Sequence, residues 1–344
     1  MYTPKDSQYD IFNLEKIKTY PIKSRSNKLK IKNLIDPYII MKKNFNISDK
    51  LTKLINNLAE KIVFLRQNNK PVILFTGAHL IKNGFSPLII NLIKKNVFTL
   101  IAGNGATAIH DFELAMIGET SENVPQSLGI GQFGMAYELG YINKAITLGH
   151  KYSLGLGESL GKMICESAFC LEALSQSKKD ISLEFLHSEV SILATCYKKK
   201  IPITIHVGIG TDVIDQHPSF DPEAKGGCSG RDFLIFVNNV VKMSQGGAIL
   251  NIGSAVTGPE VILKAVSMAA NTRKAPSKII TADFDIREET PVKNPEVFSQ
   301  YYYFRDQKSV VARIPETFGG KGYYIQGDQR MTFPFLYKKI IEKI

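Results

Sequence analysis

Tryptophan is absent from this 344-residue chain and cysteine is scarce. The four cysteines, Cys165, Cys170, Cys196 and Cys228, form no C-x-x-C pair and are too sparse for a disulfide framework. They are expected to be reduced packing residues, because no cationic surroundings mark any of them as a nucleophile. Long apolar runs are missing as well. The stretch PLIINLI at 87–93 is among the longest, far short of the roughly 18 residues that suggest a membrane span. The opening MYTPKDSQYDIFNLEK has no apolar core of a secretory signal. No internal repeat or low-complexity tract interrupts the chain. Together these absences argue against a disulfide scaffold, a helical membrane protein and an exported one, and a cytoplasmic address is expected.

What is present is positive charge. Lysine and arginine number 43 against 32 acids, a net charge of +11. Part of the excess crowds near the N-terminus, at Lys16, Lys18, Lys23, Arg25, Lys28, Lys30 and Lys32. Few aromatics are interleaved there and no nucleic-acid motif is recognisable, so a solvated basic surface is expected and nucleic acid is not. The same charge favours an anionic cofactor. Residues 1–47 show no clear period and read as a basic arm wrapping the domain or a neighbouring subunit. Residues 48–344 read as one domain.

From Ser48 the chain becomes periodic. Leu51, Leu54, Ile55, Leu58, Ile62 and Leu65 follow helical spacing, with Ser48 as N-cap. Short β-rich runs then alternate with helical segments. Strands are predicted at 72–76, 97–102, 203–207, 248–252, 278–282 and 323–326. Helices are predicted at 86–95, 108–117, 133–148, 158–174, 183–198, 231–243 and 259–270, with a last one from Phe333. This alternation implies an α/β protein with a doubly wound, mostly parallel, Rossmann-like sheet. Residues 286–320 carry no pattern, and a loop of that length is more often functional than idle.

Four of the predicted strands end in loops rich in glycine and polar groups. They are Gly77-Ala78-His79, Gly103-Asn104-Gly105, Gly208-Ile209-Gly210-Thr211-Asp212 and Gly253-Ser254-Ala255-Val256. Glycine lets backbone approach a ligand, and amides opening the following helix favour phosphate. Any one such loop is explained by a tight turn; four at one sheet edge, where open α/β sheets bind ligands, point to a ligand site. Gly103-Asn104-Gly105 lacks the third glycine of a dinucleotide fingerprint, and Gly155 to Lys162 lacks the spacing and the preceding strand of a P-loop. His206, Asp215, His217 and Asp283 add histidines and acids to the same rim. They suit a cationic or polyol substrate, or proton transfer near neutrality. Their spacing matches no familiar metal signature, so no metal is expected.

The order of these loops resembles the deoxyhypusine synthase family. Thr76 to Leu80 match its first turn loosely, and Gly103 to Ala106 stand where its Ala-Gly-Gly turn belongs. His110-Asp111-Phe112 stands at its Glu-Asp-Phe, and Thr211-Asp212 at a strand ending in Thr-Asp. Gly253-Ser254-Ala255-Val256 resembles its Gly-Gly-Gly-Val, and Thr281-Ala282 with Phe284-Asp285 resembles Thr-Ala-Gln-Glu-Phe-Asp. Gly327-Asp328 with Phe333-Pro334 resembles its last strand and helix. The match is collinear from about residue 70 onward. It implies a Rossmann-like fold, NAD, a small amine or polyamine substrate and a homotetramer. It also implies that Thr76, Gly77, Gly103, Gly105, Asp212, Gly253, Ser254, Asp285 and Asp328 lie on the cofactor.

The family transfers an aminobutyl group through an imine on a lysine in a Ser-Trp-Gly-Lys context. This chain has no tryptophan, and Pro259-Glu260 stands where the family has a substrate-binding histidine. Deoxyhypusine synthesis itself is therefore not expected. Lys321, with Glu316 upstream, is the nearest lysine, and Lys321, Glu316 and His110 are the candidate catalytic residues. Two readings stay open: an NAD-dependent transferase acting on a small amine, and a non-redox binder or hydrolase using His110, His206 and His217.

Overall fold

The computed structural model describes residues 8–175, 183–289 and 300–344. Two strands form a small ribbon, β1 (Asn27–Lys30) antiparallel to β4 (Glu119–Glu122). The other six are β2 (Val72–Thr76), β3 (Leu100–Asn104), β5 (Ile203–His206), β6 (Ala248–Ile252), β7 (Ile280–Asp285) and β8 (Lys321–Gln326). They form one parallel sheet in the order β5-β3-β2-β6-β7-β8. Counted along the chain, its strands run 3-2-1-4-5-6, the doubly wound order of dinucleotide-binding folds, which reverses between β2 and β6.

Strands covered on both faces read as unbroken apolar runs, and VILFT in β2 is buried at every residue. The two-residue period divides their side chains between two cores. Leu74 and Leu250 point to one, with Ile55, Leu58 and Ile62 of the helix Asp49–Gln67. Ile73, Phe75 and Ile249 point to the other, with Phe236 of the helix Pro222–Val241 and Ile262 of the helix Thr257–Asn271. Ser48 caps the first of these helices, its Oγ accepting from Leu51 N at 3.4 Å. All four cysteines are free, and three are buried, as packing residues should be. Among the described residues no helix is long and apolar enough to cross a membrane.

Several elements differ from the sequence reading. The helix expected over 158–174 is two helices, Leu156–Cys165 and Ser167–Leu174, broken at Glu166 in extended conformation. The one expected over 133–148 begins only at Gly140, because Gly134 takes a left-handed φ of 70°. The one expected over 183–198 is cut to Ile192–Lys199. Its start is imposed by buried Asp111, which accepts from Ser191 Oγ (2.6 Å), Ile192 N (2.8 Å) and Leu193 N (2.9 Å). The patternless stretch 286–320 holds a π-type helix, Asp306–Arg313, and a further turn, Ile314–Thr317; residues 290–299 lie outside the described ones. Most changed is the arm. It carries β1 and a helix, Pro37–Lys42, and its partner strand β4 lies about ninety residues along the chain, beyond any local pattern.

Candidate functional site

The carboxyl ends of the parallel strands converge at the point where the order reverses. There the loops after β2 and β6 touch: Gly77 N donates to Ile252 O at 3.0 Å, and a Cβ on Gly77 would stand 2.0 Å from Gly253 O. Glycine is required at this approach. The short helix His79–Lys82 rises from it, with His79 facing one cavity and Lys82 another.

The first cavity, of about 390 Å³, lies beyond β6, β7 and β8 and is acidic, lined by Asp283, Asp285, Asp306 and Asp328. Asp283, Asp285 and Asp306 each offer an oxygen within 4.8 Å of the others. The Arg287 guanidinium bridges Asp285 and Asp306, and this contact holds Asp285 below the usual carboxylate range against the opposing effect of burial. Asp283 makes no such ion pair among the described residues. It is 1% exposed; Asn251 Nδ2 donates to its Oδ1 at 2.6 Å, and its Oδ2 has no partner among the described residues. Burial, then the nearby Asp306 charge, pushes the Asp283 carboxyl far up. Gly253, at φ 73°, lies against Gln329, whose Nε2 would meet an added Cβ at 2.8 Å. Ser254 Oγ accepts from Gly258 N at 2.8 Å and so caps the start of the helix Thr257–Asn271 beside the cavity.

The second cavity, of about 220 Å³, lies beyond β3 and β5 under the β1–β4 ribbon. Arg25 from the arm pairs with Glu113 at 2.7 Å, and Glu122 stands 3.8 Å from the same guanidinium. Thr120 of β4 donates to Glu113, and His110 Nδ1 lies 2.7 Å from the Thr120 hydroxyl. At the rim Lys225 Nζ contacts Asp212 at 2.9 Å and also pairs with Asp215, all three side chains nearly sealed from water. Burial raises Asp212 more than Lys225 lowers it.

Among the candidate cofactor residues, Gly253, Ser254, Asp285 and Asp328 line the acidic cavity, where Asp283 joins them. Asp212 and His110 line the second cavity instead. Thr76 is buried, its hydroxyl donating to Gly77 O at 2.8 Å. Gly103 is packed on Thr107, and Gly105 lies under the Asp212 carboxylate, which covers the start of the helix Gly105–Ile117. Asp215 is engaged within its own loop, accepting from Gly210 N at 2.7 Å. Lys321 and Glu316 are not brought to the others. Lys321 opens β8, so it stands at the amino edge of the sheet, and Glu316 lies in the turn before it. The strand predicted at 323–326 already put both before its start, on the amino side of a parallel sheet.

His206 and His217 line neither cavity. The His206 ring stacks 5.4 Å from Phe75 and meets Phe236 edge-on at 5.4 Å. His217 Nδ1 lies 2.7 Å from Ser219 Oγ. Burial lowers each to about 4, with the Lys144 charge adding to the effect at His217. A depressed histidine contributes stability that is complete above about pH 6.5 and is lost as pH falls through its folded-state pKa of about 4. Buried Asp232 and Asp111, raised by desolvation to about 7 and about 6, act in the opposite direction over that window, so the His206 share is read by difference. The urea stability of the native chain relative to His206→Phe is expected to fall by about 3 kcal/mol between pH 6.5 and 4. A difference that stays flat with pH would contradict a neutral buried His206.

Arg25, Glu113, Thr120, Lys225, Asn251, Arg287 and Asp306 escaped the sequence reading. One signal was available: Asp212 and Asp215 beside a buried strand end require a cation, and Lys225 follows within the next helix.

No family model matches the chain, and no curated protein does. Solved structures that resemble it include ArgZ, a cyanobacterial arginine dihydrolase of the ornithine–ammonia cycle, at 18% identity over 86% of this chain and 32% of that one, with a TM-score of 0.48. AgrE in ternary complex with ornithine and NAD+ gives 12% over 86% and 34%, with a TM-score of 0.46. A protein from Entamoeba histolytica described as a deoxyhypusine synthase gives 9% over 95% and 97%, with a TM-score of 0.42. The chain spans about a third of the length of the first two.

Proposed function

We propose that this chain is an NAD-dependent enzyme acting on a small amine, bound as a cation in the acidic cavity. The observation that carries the reading is Asp283. It is a buried carboxyl in a cavity of four acids, and Arg287 contacts Asp285 and Asp306 but forms no ion pair with Asp283. Ionising such a carboxyl with no cation in contact is costly, which is what pushes Asp283 up. An ammonium group supplies both the missing charge and a donor for Oδ2.

The residues at the cavity also suit a dinucleotide. Gly253 and Ser254 stand at the cavity wall, and Asp285 and Asp328 carry carboxylate oxygens there that ribose hydroxyls would share with Arg287 and Arg330. When bound, NAD would supply hydride acceptance and return. The chain's own part is to hold the amine against Asp283, to screen Asp285 and Asp306 with Arg287, and to exclude water at the β6 and β7 ends. Lys321 is left out of this reading because it sits at the other edge of the sheet. The tetramer implied by the resemblance remains part of the proposal, and light scattering tests it.

Calorimetry with NAD and, separately, with putrescine as the amine probe is the direct test. Saturable binding of both is expected. Asp283→Asn should weaken putrescine about 10- to 100-fold, the worth of a hydrogen bond to a charged group, and leave NAD nearly unchanged. Equal putrescine affinity in the variant would remove the amine from this cavity. Absence of NAD binding would leave a non-redox ligand binder on the same fold.

A further inference from the structure

We infer that the second cavity is a proton-transfer site, with His110 as its base and Thr120 and Glu113 as positioning residues. The inference is independent of NAD and of the amine cavity. It begins with counting protons. The Thr120 hydroxyl has one, and the structure directs it to Glu113. A carboxylate can only accept, and Glu113 is held as one. Burial works against ionisation, but the His110 contact, the Arg25 charge and the Thr120 hydroxyl together outweigh it and keep Glu113 below the usual range. With its proton spent on Glu113, the Thr120 oxygen meets His110 Nδ1 at 2.7 Å as an acceptor, so Nδ1 must carry the hydrogen. Nε2 is then the bare nitrogen, left for the cavity that His110 lines.

The scaffold is rigid where this chain of contacts requires it. Thr120 is fully buried on β4, opposite Leu29 of β1, and Glu113 is 2% exposed. Arg25 clamps Glu113 from the arm at 2.7 Å. His110 keeps access to solvent, its side chain 18% exposed. A fixed tautomer, a buried carboxylate behind it and an open face are what a general base needs.

The cavity also indicates a ligand class. Its walls include Ala106, Ile109 and Phe133, and Lys82 stands at its edge, exposed and without an ion-pair partner among the described residues. A small hydroxy- or amino-carboxylate fits: its carboxylate meets Lys82 and its O–H or N–H faces Nε2. The step moves one proton from ligand oxygen or nitrogen to Nε2, and the electron pair stays on the ligand atom. The resulting imidazolium keeps its Nδ1–H on Thr120, with the Glu113 charge behind it.

The test uses the full chain labelled with ¹⁵N-histidine and long-range ¹H–¹⁵N correlation spectra, recorded without NAD. His110 is expected as the Nδ1–H tautomer. Thr120→Ser should retain it, and Thr120→Val should bring Nε2–H to at least half the population, with the other five histidine signals reporting that the fold is intact. An Nε2–H form predominating in the native chain would overturn the inference with no variant needed, as would a Thr120→Val spectrum identical to the native one. Sodium lactate, as the hydroxy-carboxylate probe, should shift the His110 signals saturably, and Lys82→Met should weaken that response at least tenfold. No lactate response, or one indifferent to Lys82, would overturn the ligand class. Loss of putrescine or NAD binding would bear only on the other cavity.

Discussion

Replacing Arg25 with methionine is expected to destabilise the protein by about 3–5 kcal/mol, the usual result of removing one partner of a buried ion pair. Arg25 and Glu113 side chains are each 3% exposed and 2.7 Å apart, and Glu122 at 3.8 Å shares the same guanidinium. Methionine keeps much of the volume but leaves both carboxylates in a place water does not reach. Tyr20, whose Oη donates to Glu122 at 3.0 Å, is a weak substitute for a full charge. Equilibrium urea unfolding measures the effect. A second substitution, Glu113→Gln, should recover much of the loss because it removes the stranded charge. A loss below about 1 kcal/mol would mean the pair behaves like a solvated one.

A comparable loss, again about 3–5 kcal/mol, is expected for Lys225→Met. Lys225 is 1% exposed and is the cation facing both Asp212 and Asp215. Without it two buried carboxylates repel each other across the loop after β5. The consequence reaches further than the loop, because Asp212 sits over Gly105 at the start of the helix that carries His110. The loss should shrink as the pH falls from 7 to 4, because burial holds the Asp212 carboxyl above its ordinary value even with Lys225 present, and without that cation it takes up a proton within this window. Urea unfolding at pH 7 and pH 4 checks both statements. A penalty unchanged by pH would assign the effect to packing alone.

Both predictions concern residues that the sequence reading passed over, and the reason is the same. Arg25 stood within a run of lysines and looked like one more solvated charge. Its partner lies 88 positions away, and only the pairing of β1 with β4 brings the arm onto the helix Gly105–Ile117. Lys225 sits in a helix whose exposed and buried faces are both partly polar. Asp306 lies in a stretch with no period, since a π-type turn does not repeat every 3.6 residues. Lys321 was singled out as the lysine nearest the family's Ser-Trp-Gly-Lys context, and it stands at the start of β8, at the amino edge.

The sequence by itself determined the parallel sheet and the glycine-rich loops at its carboxyl edge. Short apolar runs alternating with helical periods are local facts, and glycines after the strands mark where backbone must come close. The glycines Gly77 and Gly253 and the acids Asp283 and Asp285 were readable because each follows a predicted strand; that Gly77 and Gly253 meet was not. Tertiary structure alone decided the strand order, the division of the edge into two cavities, and the partners of each charge. That Arg25 meets Glu113 and that Asp306 is brought beside Asp283 depends on contacts between segments apart in the chain. No periodicity records those contacts.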